Sequence, residues 1–326
     1  MSTEDGPGIR STVFFKGCPL SCLWCHNPES ISPRIQIHWE KIRCIACHSC
    51  KEACTQGAIT EGDSGILIDR IACDSCGICV QACPSAALGA YGEVIYPHDL
   101  VHEVLKDRAY FQSSGGGVTL SGGEPAMQPA FTQELLSLFR KEGIPIALDT
   151  CGQCSWETLA MLAADADLVL YDLKEIDPAK HKRFTGQSNA RILENVIALA
   201  RVMREQGRPR ELWIRTPLIP GYTATPENIL GIGAFIQGHL EGEVHRWELC
   251  TFNNLCIHKY ESLGIAWDLG KASLLTADET QNLANRARES GVDPSIVSVS
   301  GPQRVVDPKE EPQDGTSKAM SRCGAL

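Results

Sequence analysis

Short apolar runs recur along the chain, and between them lie longer stretches whose apolar residues fall three and four apart. The runs at residues 11–15, 118–121, 145–149, 168–172, 212–216, 246–250 and 296–299 read as strands. Residues 131–141 set Phe131, Leu135, Leu138 and Phe139 on one helical stripe, and 192–206 reads likewise. Residues 276–290 form a third such stretch, with Thr276 as a cap and Glu279 three residues on. Strands alternating with helices predict an α/β fold with a parallel sheet. Six or so units over ~230 residues fit a partial (β/α)6 barrel better than a closed eight. An incomplete barrel leaves a lateral opening, which a macromolecular substrate needs.

Composition narrows the function. The chain has 326 residues, 30 basic and 40 acidic side chains and a net charge of −10, a poor match for general nucleic-acid binding. No apolar run approaches the ~18 residues of a membrane span. The start, MSTEDGPGIR, has no apolar signal segment, so the expectation is a cytoplasmic protein with no membrane partner. Residues 307–326 are polar and Pro/Gly-bearing, and read as a disordered tail in which Cys323 is a free thiol.

The outlying quantity is cysteine, 16 residues, too many for a chain without export to hold as disulfides. Eleven lie between Cys18 and Cys83. Cys44, Cys47, Cys50 and Cys54 form C-x2-C-x2-C-x3-C, and Cys73, Cys76, Cys79 and Cys83 repeat it 29 residues later, followed by Pro84. The repeat reads as a bacterial-type ferredoxin module in which the fourth cysteine of each run serves the other cluster. That assigns Cys44, Cys47, Cys50 and Cys83 to one [4Fe–4S] cluster, and Cys73, Cys76, Cys79 and Cys54 to a second. Thr55 stands where a proline usually follows, which alters a turn and not a ligand. Cys18, Cys22 and Cys25 differ in kind: C-x3-C-x2-C supplies three thiolates and leaves one iron of a third [4Fe–4S] cluster open, as a catalytic centre requires. Trp24 sits inside this loop. Cys151 and Cys154 have a redox-pair spacing, but packed neutral thiols are the simpler reading.

Six motifs, DGPGIR (5–10), GCPLSCLWCHNPES (17–30), GGGVTLSGGEP (115–125), DTCG (149–152), YDLK (171–174) and WIRTPLIPG (213–221), occur in this order. Together they resemble the radical S-adenosylmethionine (SAM) enzymes, and more narrowly the activating enzymes of glycyl radical enzymes that carry a two-cluster ferredoxin insert. The resemblance covers about 300 residues and implies four segments: the start of the barrel with its cluster loop (1–38), the ferredoxin-like insert (39–89), the remaining barrel (90–306) and the tail (307–326). It implies reductive cleavage of SAM to a 5′-deoxyadenosyl radical, which takes a hydrogen from a glycine of the partner enzyme. The cofactors implied are SAM and three [4Fe–4S] clusters; the partners are a glycyl radical enzyme and a flavodoxin or ferredoxin as electron donor, and the enzyme is anaerobic.

The same resemblance assigns site residues. Cys18, Cys22 and Cys25 hold the catalytic cluster, with Asp5 at the active-site mouth and Arg215 in the site. Trp24, Gly122, Gly123, Glu124, Asp149, Thr150, Asp172 and Lys174 are the expected SAM contacts, the glycines allowing close backbone approach and Lys174 meeting the methionine carboxylate. Asn253 replaces a histidine often found near SAM, and an amide does not titrate near pH 7. The competing readings are a radical SAM enzyme acting on a small molecule or peptide and a plain electron carrier; the latter needs no SAM motifs. The partner's own reaction is not named by these residues, although 252–256 lean towards decarboxylase or fumarate-adding groups. The family's usual apolar strand before DGPG is not matched by residues 1–4, which suggests a truncated start or a missing sheet edge.

Overall fold

The computed structural model describes residues 1–63, 65–240 and 242–305. The tail assigned to 307–326, with Cys323, lies outside the described residues. Eleven strands are described: β1 (Arg10–Phe15), β2 (Gln36–Trp39), β3 (Ile59–Gly62), β4 (Gly65–Ile68), β5 (Leu88–Tyr91), β6 (Gly117–Gly122), β7 (Ile146–Thr150), β8 (Leu168–Asp172), β9 (Glu211–Leu218), β10 (Arg246–Thr251) and β11 (Val297–Ser300). Seven form one sheet in the order β1-β6-β7-β8-β9-β10-β11, parallel throughout. Among the described residues β1 and β11 are not paired, so the wall is open on one side. Each of the seven predicted strands is present, with bounds shifted by up to two residues.

The helices follow from local chemistry. Pro129–Lys141 begins two residues before the predicted stripe, because Pro129 suits the first helical turn. It buries Leu135, Leu136 and Phe139 against the sheet. Ala277–Glu289 has the expected capping box of Thr276 and Glu279. Helix Pro226–His239 was not legible, since Gly231, Gly233 and Gly238 weaken helix propensity. Packing explains two of these glycines. A Cβ at Gly231 would stand 2.7 Å from Ile176, and one at Gly233 would stand 1.8 Å from Ser290.

The first motif closes the sheet edge at the N-terminal ends of the strands. Arg10 is buried: its Nε donates to Thr119 Oγ1 at 2.7 Å and its guanidinium to the Val118 and Pro145 carbonyls at 2.6 and 3.2 Å. Gly8 and Gly116 allow the two backbones to touch; a Cβ at Gly116 would lie 1.8 Å from the Ile9 carbonyl oxygen. DGPGIR and GGG are thus complementary halves of one joint.

Between β1 and β6 the chain leaves the sheet. β2 and β5 pair antiparallel, Gln36 opposite Tyr91 and Trp39 opposite Leu88, and close a small unit containing the β3–β4 hairpin. The 29-residue cysteine repeat recurs in its backbone. Left-handed residues occur at Ala46 and Ser75, His48 and Gly77, Gly57 and Ala86. The backbone N–H of Ala58 donates to Cys54 Sγ, and that of Ala87 to Cys83 Sγ, at 3.3 and 3.2 Å. The two halves wrap their cysteines in the same way.

Candidate active site and cysteine cages

The cysteine loop follows β1 directly and is held mainly by its backbone. Gly17 and Cys18 donate to the Ser30 and Ile31 carbonyls at 2.7 and 3.1 Å, and Ser21 and Leu23 to those of Thr185 and Phe184 at 2.8 and 3.0 Å. From the opposite side, Trp267 Nε1 donates to the Leu23 carbonyl and Tyr260 Oη to that of Cys25, both at 2.8 Å. The Tyr260 and Trp267 rings stack at 4.5 Å. Trp24 is anchored in an apolar cluster with Phe184, Ile219, Phe252 and Leu269.

This anchoring brings the three thiols together. Burial pushes Cys22 up to about 11 and Cys25 up to about 12, with neighbouring cysteine charges adding to both and Lys174 opposing. Cys18 is shifted the other way, chiefly by the neighbouring Cys151 thiol. Thiols so buried need a cation to become thiolates, and soft sulfur selects iron or zinc. Among the described residues no three of His, Cys, Asp or Glu converge tightly enough to hold a single metal ion.

Beside the loop, at the C-terminal ends of the strands, opens a cleft of about 840 Å³. Asp5, Trp24, Asp149, Asp172, Lys174, Arg215 and Asn253 all line it. Strand register sets a charged row across its floor: Asp172 on β8 faces Arg215 on β9, which faces Glu248 on β10. Lys174 Nζ lies 2.5 Å from Asp172 Oδ2. Arg215 lies 3.5 Å from Asp149 and 3.2 Å from Glu248, but its buried Nε has no hydrogen-bond geometry to either and remains without a partner. Burial opposes the charges of Lys174 and Arg215; the surrounding anions outweigh it and raise both pKa values. Burial pushes the Asp149 carboxyl up to about 6, with Arg215 opposing and Asp172 adding, and Ser121 Oγ donates to it at 2.6 Å.

Other expected contacts stand elsewhere. Glu124 is buried behind the cleft, accepting from Thr150 Oγ1 at 2.8 Å and from the backbone N–H of Cys151 and Ala126 at 2.8 and 3.1 Å. Thr150, also buried, is spent on Glu124 and on Gly152 N–H. Gly122 and Gly123 bring backbone against backbone: a Cβ on Gly123 would lie 2.3 Å from the Gly17 carbonyl oxygen, and one on Gly122 would lie 2.5 Å from Phe15 N. Asn253 accepts from Leu255 N–H at 3.2 Å with its side chain, and its carbonyl accepts from His26 Nε2 at 2.7 Å. Asp5 accepts from Thr12 at 2.7 Å. Ser121, His26, Glu248 and Cys250 line or border the cleft and were not singled out from sequence. Glu248 and Cys250 are two apart on β10 and share its inward face, a signal that period-two reading of the strand contains.

The inserted unit holds two further hollows. One is ringed by Cys44, Cys47, Cys50 and Cys83, with Trp39, Ile66 and Leu88 in its wall. The other is ringed by Cys54, Cys73, Cys76 and Cys79, with Ile37, Ile59 and Ile68. Each takes its fourth cysteine from the opposite half of the repeat. Trp39 Nε1, in the wall of the first hollow, is buried without a partner.

The radical SAM superfamily profile matches residues 12–230. The trans-4-hydroxy-L-proline dehydratase activating enzyme of Clostridioides difficile is 44% identical over 263 residues, covering 80% of this chain and 85% of that one. The isethionate sulfite-lyase activating enzyme of Oleidesulfovibrio alaskensis is 41% identical, covering 84% and 87%. The indoleacetate decarboxylase activating enzyme of Tractidigestivibacter scatoligenes is 36% identical, covering 89% and 93%, so the relatives' names fall both within and outside the groups towards which residues 252–256 lean. Among solved structures, Streptococcus suis SuiB bound to precursor peptide SuiA aligns with a TM-score of 0.51 at 12% identity, over 89% of this chain and 48% of that one, a likeness of fold alone. Among the described residues, no helix is long and apolar enough to cross a membrane.

Proposed function

Because the chain belongs to the radical SAM superfamily and, within it, to the activating enzymes of glycyl radical enzymes, we propose a division of labour among its residues for that reaction. The enzyme cleaves SAM reductively and abstracts a hydrogen from a glycine of its partner. Cys18, Cys22 and Cys25 hold a [4Fe–4S] cluster whose fourth iron stays open. When bound, that cluster supplies the electron that breaks the sulfonium bond and an anchor for the amino and carboxylate groups of SAM.

The chain's residues bind and orient. SAM's methionine end is a zwitterion, and the cleft offers it both signs. Lys174 meets the carboxylate, while Asp149 and Asp172 face the ammonium and ribose. Arg215 is held in the site between Asp149 and Glu248 and keeps its charge there. Trp24 and Asn253 close the side of the pocket, and Asp5 stands where the partner's glycine loop enters. Gly122, Gly123, Glu124 and Thr150 act from behind by fixing the turn against the cysteine loop. The two hollows of the insert hold two further [4Fe–4S] clusters, a reading supported by the crossed cysteine sets and by Trp39 Nε1, which suits a cluster sulfur as acceptor. Electrons come from a flavodoxin or ferredoxin, in an anaerobic cytoplasm.

The observation that carries this reading is that Trp24 of the cysteine loop, Asp149, Asp172, Lys174 and Arg215 line one cleft at the strand ends, beside the buried Cys22 and Cys25. Cys22→Ser tests it: SAM cleavage driven by dithionite is expected to vanish. Cleavage surviving in that variant sinks the assignment. Mixing the enzyme with its partner glycyl radical enzyme is expected to give a glycyl electron paramagnetic resonance (EPR) signal. Deuterium passing instead from a labelled small molecule or peptide into 5′-deoxyadenosine would favour the alternative substrate class.

A further inference from the structure

The repeat in the inserted unit allows its two cages to be compared position by position, and they differ in the donors they turn towards sulfur. One donor is shared. Ala87 N–H reaches Cys83 Sγ at 3.2 Å in the first cage, Cys44/Cys47/Cys50/Cys83, and Ala58 N–H reaches Cys54 Sγ at 3.3 Å in the second, Cys54/Cys73/Cys76/Cys79. The other donors fall on the first cage. Ser49 Oγ donates to Cys47 Sγ at 3.5 Å, and Ser85 Oγ stands 3.7 Å from Cys83 Sγ, where a thiolate leaves the hydroxyl as the donor. At the equivalent positions of the repeat the second cage has Ile78 for Ser49 and Gln56 for Ser85. Ile78 has no side-chain donor, and Gln56 Nε2 donates to Asp74 Oδ2 at 3.1 Å instead.

Trp39 is the third difference. It lines the first hollow, and its Nε1–H is buried without a partner. Its place is fixed from two sides. Pairing opposite Leu88, with Glu40 N–H donating to the Ala87 carbonyl at 2.8 Å, holds the backbone against β5. Gly65, in the same wall, leaves room for the indole: a Cβ there would stand 2.2 Å from Trp39 Cη2. A buried N–H without an acceptor is destabilising, so its natural acceptor is the group the hollow holds. The second hollow has Ile37, Ile59 and Ile68 in its wall and, among the described residues, no buried unpaired donor.

Fixed charge does not separate the two cages. Glu61, in the wall of the first hollow, is paired with Lys51 at 2.8 Å and faces His48 at 3.3 Å. Asp74, in the wall of the second, accepts from Cys76 N–H at 3.1 Å and from Gln56. Arg70 is the cation on that side: it lies near enough to Cys73 to feel its charge, and donates to the Ile37 and Leu263 carbonyls. Each cage thus has an acid and a cation in its surroundings, and the hydrogen bonds decide.

A hydrogen bond to a cluster sulfur favours the reduced, more electron-rich state and so raises the reduction potential. We propose that the inserted unit is built to hold its two clusters at different potentials, with Trp39, Ser49 and Ser85 making the Cys44/Cys47/Cys50/Cys83 cluster the more readily reduced of the pair. The three are positioning residues, which act on sulfur and touch no substrate. The inference rests on the two-cluster reading of the insert.

The test is a redox titration of the iron-loaded full chain followed by EPR, with the SAM-site cluster recognised by its spectral change on adding SAM. The two inserted clusters are expected to reduce in separate steps. Trp39→Phe, and separately Ser49→Ala/Ser85→Ala, should move the higher step to more negative potential and leave the lower in place. The expected size is about a tenfold change in the reduction equilibrium, ~59 mV for a one-electron couple. Ile78→Ser gives the second cage the hydroxyl it lacks, at a position 41% exposed, and should raise the lower step and narrow the gap. The serine pair and Ile78→Ser keep the test decisive if Trp39→Phe fails to hold iron. Coincident steps in the parent overturn the proposal, as do variants at Trp39, Ser49 and Ser85 that move the lower step or neither. An iron content near four per chain, instead of about twelve for three cubanes, overturns the two-cluster reading itself.

Discussion

Glu124 offers the sharpest discrimination between a residue that touches SAM and one that builds the site. Its carboxylate is 1% exposed and accepts from three donors, Thr150 Oγ1, Cys151 N–H and Ala126 N–H. In Glu124→Gln one oxygen becomes an NH2. With Oε1 kept where it receives Thr150 and Ala126, the amide nitrogen faces the Cys151 N–H. In the flipped amide it faces Ala126 instead. Either way one buried backbone donor is orphaned, at about 1–3 kcal/mol. Glu124→Ala orphans all three, at roughly 3–9 kcal/mol. Burial raises the Glu124 pKa, so removing the charge returns part of the loss in both variants. Urea midpoints of the iron-loaded enzyme should therefore fall in the order parent, Gln, Ala. SAM affinity, measured by calorimetry on the folded fraction, should change little in the Gln variant. A Gln variant of parental stability that binds SAM more than about tenfold (~1.4 kcal/mol) more weakly would falsify the placement of this carboxylate behind the cleft.

Two further outcomes follow from the same geometry. Gly123→Ala drives a Cβ to within 2.3 Å of the Gly17 carbonyl and 2.9 Å of that of Ser30, both backbone, so the cysteine loop must shift; iron bound per chain and the midpoint of thermal unfolding should both drop. Asp149, raised by burial from 3.8 to about 6, binds its proton more tightly when folded than when unfolded. Stability contributed here is present below pH 4 and is lost as pH rises through 6. Comparing urea midpoints of the parent and Asp149→Asn between pH 5 and 7, the parent should lose stability relative to the variant as pH rises; parallel curves would remove the shifted pKa.

What was legible in sequence depended on how local the determinant is. Strand positions could be read because a buried parallel strand must be apolar whatever surrounds it. The crossed cysteine sets could be read because the spacing is that of bacterial ferredoxins, in which the fourth cysteine of each run serves the other cage. The row Asp172, Arg215 and Glu248 was only partly legible. Asp172 and Arg215 were named from motifs, whereas Glu248 needs the β9–β10 register, which no local pattern contains. Direction was least legible. GGE identifies three residues but not which way the carboxylate turns, and Glu124 and Thr150 turn towards each other. The helix Pro226–His239 was hidden because its glycines serve tertiary contacts with Ile176 and Ser290 and contradict its own propensity.

The cysteine loop shows why the surrounding shell is so extensive. A loop that leaves one cluster corner open has one fewer covalent anchor than a four-cysteine cage. The missing restraint must come from the protein. It comes from four backbone donors of the loop itself, at Gly17, Cys18, Ser21 and Leu23, and from two side chains, Tyr260 and Trp267, that hold its carbonyls. Taken at about 1 kcal/mol per net hydrogen bond, these six contacts are comparable in scale to the stability of a whole small domain. None of them uses a cysteine thiol. Tyr260 and Leu263 belong to one short helix, Ile257–Leu263, and Arg70 of the inserted unit donates to the Leu263 carbonyl, so the element that steadies the cysteine loop is also one against which the insert is seated.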